Sequence, residues 1–157
     1  MQAHAELIRQ ITEKNLAGRV HHFSRLLAQL SEHRWAADGY PELRSAHVQL
    51  LRNLDPTGTR ATVLAQRAQV TKQTMGRLVK ELAGASCLTL IPDVADSRAQ
   101  LVKLTPRGTA FLAYLATSLV DLEQAFERVL GKERLTDFSA ALHELTAFAE
   151  ARRQQLL

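Results

Sequence analysis

The chain has 157 residues, a net charge of +4, 46% apolar and 5% aromatic residues, and one cysteine. That length carries one domain with a real core, or two small lobes sharing one, and so few aromatics among so much Leu, Ala and Val favour a helical protein over an all-β one. No apolar run approaches the ~20 residues of a membrane span. The start, MQAHAELIRQITEKN, is polar and lacks a signal-peptide core, and a lone Cys87 excludes an internal disulfide framework, so a cytoplasmic protein with no membrane partner is expected.

The apolar positions Leu7, Ile8, Ile11, Leu16, Val20, Phe23, Leu26, Leu27 and Leu30 recur at three- and four-residue steps and predict one long helix over 5–36, with a bend or a close helix contact at Gly18. Asp38-Gly39-Tyr40-Pro41 is a turn signal. A second helix follows over 42–54, with Leu43, His47, Leu50, Leu51 and Leu54 on one face, and Asp55-Pro56-Thr57-Gly58 ends it. Thr59 reads as the N-cap of a third helix over 60–67. Ala68-Gln69-Val70 is a turn, and Thr71 caps a fourth helix to about Ala83 that buries Met75, Leu78, Val79 and Leu82.

Cys87–Ile91 and Gln100–Leu104 are the two strand candidates. The segment from Pro92 to Ala99 carries Asp93, Asp96 and Arg98 and is too long for a tight turn, so a projecting charged loop is expected. Thr105 then caps, and Pro106 opens, a fifth helix over 106–130, in which Leu112, Leu115, Leu119, Leu122, Phe126 and Leu130 form a stripe. Gly131 ends it, and a last helix over 135–153 aligns Leu135, Phe138, Leu142, Leu145 and Ala149. The terminal stripes exceed what one small globule covers. They imply pairing with a second copy, the alternative being a three-helix bundle within the chain.

The charge is uneven. Residues 1–58 hold 7 basic and 6 acidic side chains, residues 59–108 hold 8 and 3, and residues 109–157 hold 5 and 7. The excess of +5 falls on the helix-turn-helix pattern and the charged loop, where a phosphate backbone would be met.

The run LAQRAQVTKQTMGRLVKELA followed by IPDVADSRAQLVKLTPRG resembles the MarR family of bacterial transcriptional regulators. Its wing signature is met by Asp93, Asp96, Arg98, Leu104, Thr105 and Gly108, and the helix order matches over nearly the whole chain. Gln69 stands where the family often has Gly, Gly76 where it has a polar residue, and Thr89-Leu90-Ile91 where the strand is usually charged. The resemblance implies a mainly α (α+β) winged helix-turn-helix fold. The whole chain, 1–157, would be a single domain: 1–36 and 109–157 as dimerisation helices and 42–108 as the DNA-binding lobe. The implied function is a homodimeric transcriptional repressor on a pseudo-palindromic double-stranded operator, released by a small aromatic or phenolic ligand. The alternative is a winged-helix protein-interaction module without specific DNA binding.

In helix-turn-helix docking the start of the recognition helix, here the fourth of the chain, enters the major groove. Thr71, Lys72, Gln73 and Thr74 are there, Gln being suited to adenine and the Thr methyl to thymine. Arg77 and Lys80 suit phosphates, as do Thr59 and Arg60 at the start of the third helix. Arg98 at the wing tip suits a narrow minor groove, with Asp96 orienting its guanidinium. His21, His22 and His47 are ligand-site candidates in the cleft where the family often binds aromatic acids. Cys87 does not match the first-helix position of the family's thiol sensors, and an inert buried thiol is the default. No phosphate-binding Gly loop, nucleophile elbow or HExxH pair is present, so neither an enzyme nor a cofactor or metal is expected.

Overall fold

The computed structural model describes residues 2–12 and 15–156. In chain order its elements are α1 (Gln2–Thr12), α2 (Leu16–Ala37), α3 (Ser45–Leu51), β1 (Thr59–Arg60), α4 (Ala61–Arg67), α5 (Lys72–Gly84), β2 (Leu88–Asp93), β3 (Asp96–Leu104), α6 (Pro106–Leu130) and α7 (Lys132–Gln155). The strands form an antiparallel sheet in the order β1-β3-β2. This is the expected winged helix-turn-helix. The chain clusters into two compact units, one up to Phe111 and one from Leu112.

The single helix expected over 5–36 is two helices. The apolar period runs on from Ile11 to Leu16, but Asn15 interrupts the backbone. Its side-chain amide donates to the Gln10 and Ile11 carbonyls of the last turn of α1 at 2.8 and 2.6 Å. Its Oδ1 accepts the Gly18 N–H at 2.7 Å and caps α2. One side chain thus closes one helix and opens the next, and Gly18 belongs to that cap rather than to a bend.

The core of the first unit gathers α2, α3, α4, α5 and the sheet. Leu43, Leu50, Leu64, Met75, Leu82, Cys87, Val102 and Phe111 are fully buried. Phe111 meets Trp35 edge-on at 5.4 Å and Tyr40 at 4.9 Å, so the start of α6 is fixed by aromatic packing. Arg107 adds a polar clamp. Its Nε donates to the Ala85 carbonyl at 3.1 Å, and its Nη2 reaches the Gly39 carbonyl at 3.0 Å and the Glu42 carboxylate at 2.6 Å. The guanidinium lies 5.1 Å from the centre of the Tyr40 ring.

Thr105 starts α6 as expected. Its hydroxyl donates to the Ser86 carbonyl at 2.6 Å and accepts the Gly108 N–H at 3.1 Å. Gly108 is required here by close approach: a Cβ would overlap the Cys87 carbonyl oxygen and crowd Leu104 Cδ2. That contact gives the glycine of the Leu-Thr-x-x-Gly pattern a physical reason.

In the second unit α7 buries none of its residues, and Phe138, Leu142, Leu145 and Phe148 stand exposed. In the first unit Leu7, Ile8, Ile11, Leu16, Phe23 and Leu30 are exposed as well. No helix among the described residues is long and apolar enough to cross a membrane.

Candidate nucleic-acid interface

The turn into α5 is set by the backbone. Gln69 adopts φ +56°, and the Val70 N–H returns to the Ala65 carbonyl at 3.0 Å. Gln69 therefore takes a left-handed conformation that favours glycine. Thr71 then caps α5, its hydroxyl oxygen accepting the Thr74 N–H at 3.1 Å. Met75, Leu78, Val79 and Leu82 face the core. The opposite face, Lys72, Gln73, Gly76, Arg77 and Lys80, is exposed.

The side chains of that face differ in their commitments. Among the described residues Lys72, Gln73 and Lys80 make no ion pair and no side-chain hydrogen bond. The Thr71 and Thr74 hydroxyls are 2.9 Å apart and serve the cap. Arg77 pairs with Glu81, one turn on. Glu81 also accepts from His47 Nε2 at 2.9 Å. The Nδ1 of that imidazole accepts the Arg44 N–H at 3.0 Å, which fixes the proton on Nε2. The hydrogen bond from His47, with help from Arg77, holds the Glu81 carboxyl below its ordinary range.

The wing is a tight hairpin, not the long loop expected over 92–99. β2 pairs with β3 from Leu88↔Leu104 to Pro92↔Gln100, then shifts register so that Asp93 faces Asp96. Only Val94 and Ala95 form the turn. The reason lies in Asp93, whose Oδ1 accepts the Ala95 N–H at 2.9 Å. That bond and the Arg60 guanidinium hold the Asp93 carboxyl below its ordinary range. Asp96 does not orient the Arg98 guanidinium as expected; its Oδ1 accepts the Arg98 backbone N–H at 3.1 Å. The Arg98 side chain is exposed at the hairpin end of β3 and, among the described residues, enters no ion pair.

The start of α4 also differs from expectation. Thr59 is not its N-cap. It lies in β1, paired with Val102, and the cap position is Arg60. Thr59 is buried because its hydroxyl accepts the Asp55 N–H at 2.8 Å and donates to Asp55 Oδ2 at 3.1 Å. Arg67 closes the same turn, donating to Asp55 Oδ1 and the Asn53 carbonyl, both at 2.9 Å. The Arg67 and Thr59 bonds lower the Asp55 carboxyl. Arg60 points to the wing, donating from Nε to Asp93 Oδ2 at 2.7 Å.

The three histidines separate. His21 and His22 are exposed and line a shallow groove of about 950 Å³ with Gln10, Ile11, Gly18 and Arg25. His22 Nδ1 lies 3.2 Å from Arg25 Nη2. His47 is buried, with both ring nitrogens committed to Arg44 and Glu81. Cys87 is fully buried, and burial raises its thiol pKa. Among the described residues no three His, Cys, Asp or Glu side chains gather as a metal site would require. Reading the sequence missed Glu81, Asp55 and Arg107 as organising residues. Only the Arg77–Glu81 spacing of four carried a local signal.

No family model matches the sequence, and no curated relative does. The fold, in contrast, has many solved counterparts. The structure of MarR superposes with a TM-score of 0.73 at 21% identity, covering 90% of this chain and 95% of that one. Streptococcus pneumoniae FabT in complex with DNA gives 0.73 at 11% identity, covering 87% and 96%. PcaV from Streptomyces coelicolor, in complex with its natural ligand, gives 0.59 at 21% identity, covering 86% and 96%. The chain folds as the MarR-family transcriptional regulators fold.

Proposed function

We propose that the chain is a homodimeric DNA-binding transcriptional regulator, a repressor released by a small aromatic ligand. The observation that carries the reading is the pairing of two exposed features in the first unit. The polar start of α5 presents Lys72 and Gln73 with Lys80 further along, and a two-residue hairpin presents Arg98. A helix of that polarity suits the major groove, and the wing arginine suits the adjacent minor groove. FabT, of the same fold, was solved on DNA, and PcaV with a natural ligand; both support the reading. In a symmetric dimer two copies of α5 address successive major grooves about 34 Å apart, and a ligand that favours another spacing releases the operator.

The test is selection from random double-stranded DNA with the full chain, followed by titration of the selected duplex against salt. One pseudo-palindromic sequence should emerge, with log K falling steeply and linearly against log salt. Equal binding of selected and random duplexes, or none, would favour a winged-helix protein-interaction module instead. Simple phenolic acids added to the bound duplex should then release the protein.

A further inference from the structure

The wing tip lacks the turn chemistry that normally shapes a two-residue hairpin. Such hairpins favour turns with positive φ, usually supplied by Gly or Asn. Here the turn is Val94-Ala95, and neither residue has positive φ. The register also shifts between Pro92 and Asp93. The direction of the tip must therefore be fixed by something other than the turn.

Two carboxylates and one guanidinium supply it. Asp93 uses Oδ1 to accept the Ala95 N–H, and Asp96 uses Oδ1 to accept the Arg98 N–H. Each leaves its Oδ2 for Arg60. Arg60 Nη2 lies 2.6 Å from Asp93 Oδ2 and 3.7 Å from Asp96 Oδ2, while its Nε donates to Asp93 at 2.7 Å. The Asp93 side chain is only 11% exposed, so this contact is shielded from solvent on the carboxylate side. Arg60 is also the N-cap residue of α4 and makes no capping hydrogen bond there. Ser, Thr, Asp and Asn are the side chains suited to that cap.

We propose that Arg60 is a positioning residue: it straps the wing to the start of α4 through Asp93 and Asp96 and so aims Arg98, rather than meeting a phosphate itself. The proposal rests on the DNA-binding reading above. It deepens that reading by moving Arg60 from the cations that meet DNA to those, like Arg67 and Arg107, that are spent inside the protein. A guanidinium gripping one nearly buried carboxylate and facing a second is already neutralised, and a phosphate would have to displace Asp93 to reach it.

The experiment has two arms on the full chain. In the DNA-free arm, amide hydrogen exchange at Ala95 and Arg98 is compared between wild type and Arg60→Ala, with Arg60→Gln as a second variant should the first fold poorly. The strap predicts faster exchange at both amides with the core amides unchanged; unchanged exchange at Ala95 and Arg98 overturns it. In the DNA arm, affinity for the duplex selected by the wild type is measured against salt for Arg60→Ala and Asp93→Asn, each with and without Arg98→Ala. Each single variant should lose about tenfold, the scale of one charge-assisted hydrogen bond. The loss should vanish in the Arg98→Ala background. If instead Arg60→Ala, but not Asp93→Asn, loses affinity, and the loss persists in the Arg98→Ala background with a salt slope lower by about one phosphate contact, Arg60 touches DNA and the strap is wrong. A wild-type chain that binds no duplex refutes the DNA reading, and the aiming role with it. Unchanged exchange in a chain that does bind refutes the strap alone.

Discussion

At Gly76 and Gly108 the same added methyl group has opposite consequences. Gly76 is exposed in the interior of α5, and a Cβ there meets nothing within 4 Å. Gly76→Ala should raise stability by about 1 kcal/mol through helix propensity alone. Gly108 carries the first turn of α6 against the Cys87 carbonyl, where a Cβ has no room. Gly108→Ala should lower stability by about 1–3 kcal/mol, the usual cost of overpacking. Urea unfolding of both variants checks the pair, and a stable Gly108→Ala would remove the close-approach argument. Arg98 behaves differently again, because it is exposed and enters no ion pair among the described residues. Arg98→Ala should weaken binding of the selected duplex about tenfold or more while leaving the urea midpoint where it was. Unchanged affinity at fixed salt would take the minor-groove role away from the wing. At this scale the sequence spoke clearly for Thr71, whose cap was visible from residue type and position. It could not show that His47 is locked to Glu81, because that contact spans two helices with no local spacing to reveal it.

Elements were legible where their signals are local. α5 and α6 have a capping Thr, an apolar period and a breaker, and their limits came within a residue of those expected. The split of the first helix has a local cause in the Asn15 side chain, whereas at β1 and the wing a tertiary contact overrides local preference. β1 has only two residues, and nothing near Thr59 announces a partner at Val102. The wing looked like a long loop because Pro92, Asp93, Asp96 and Ser97 are poor strand formers, yet β3 and Arg60 draw them into a hairpin. Those same polar contacts predict how the elements respond to acid. Asp93 is lowered by the Ala95 N–H and Arg60, Asp55 by Arg67 and Thr59, and Glu81 by His47 and Arg77. Glu42 is raised by burial, but Arg107 and its other partners outweigh that and lower it overall. A carboxyl with a depressed folded pKa contributes stability that is present above its unfolded value, about 4, and is lost as pH falls through the folded value. The contribution of these carboxyls to the thermal midpoint should therefore be constant from neutrality to about pH 5 and fall below about pH 4. Asp93→Asn should make the fall shallower. An equally steep fall in that variant would show that the wing contact contributes nothing to stability.

Across the whole molecule, the apolar surface is larger than one chain uses. Each compact unit leaves its own set uncovered: Leu7, Ile11, Leu16 and Leu30 in the first, Phe138, Leu142, Leu145 and Phe148 in the second. A soluble monomer rarely exposes apolar patches beyond a few hundred Å². A helix that buries no residue also has little to hold it, since most helical stability comes from packing an apolar face. α7 is such a helix over its 24 residues. The proposed homodimer would cover these faces, because closed twofold pairing uses the same patch on both partners and a pseudo-palindromic site would need two copies of α5. Leu142→Glu with Leu145→Glu places two charges on that stripe. If the proposed dimer forms, the wild type should sediment as a dimer at micromolar concentration and the double variant as a monomer. Its helical circular dichroism should fall as α7 loses its support. Its affinity for a single half-site should stay close to that of the wild type, while affinity for the full selected duplex falls by one to two orders of magnitude, because the second half-site no longer binds at high effective concentration. A wild type that sediments as a fully helical monomer would require these faces to be covered within the chain and would remove the dimer from the proposed mechanism.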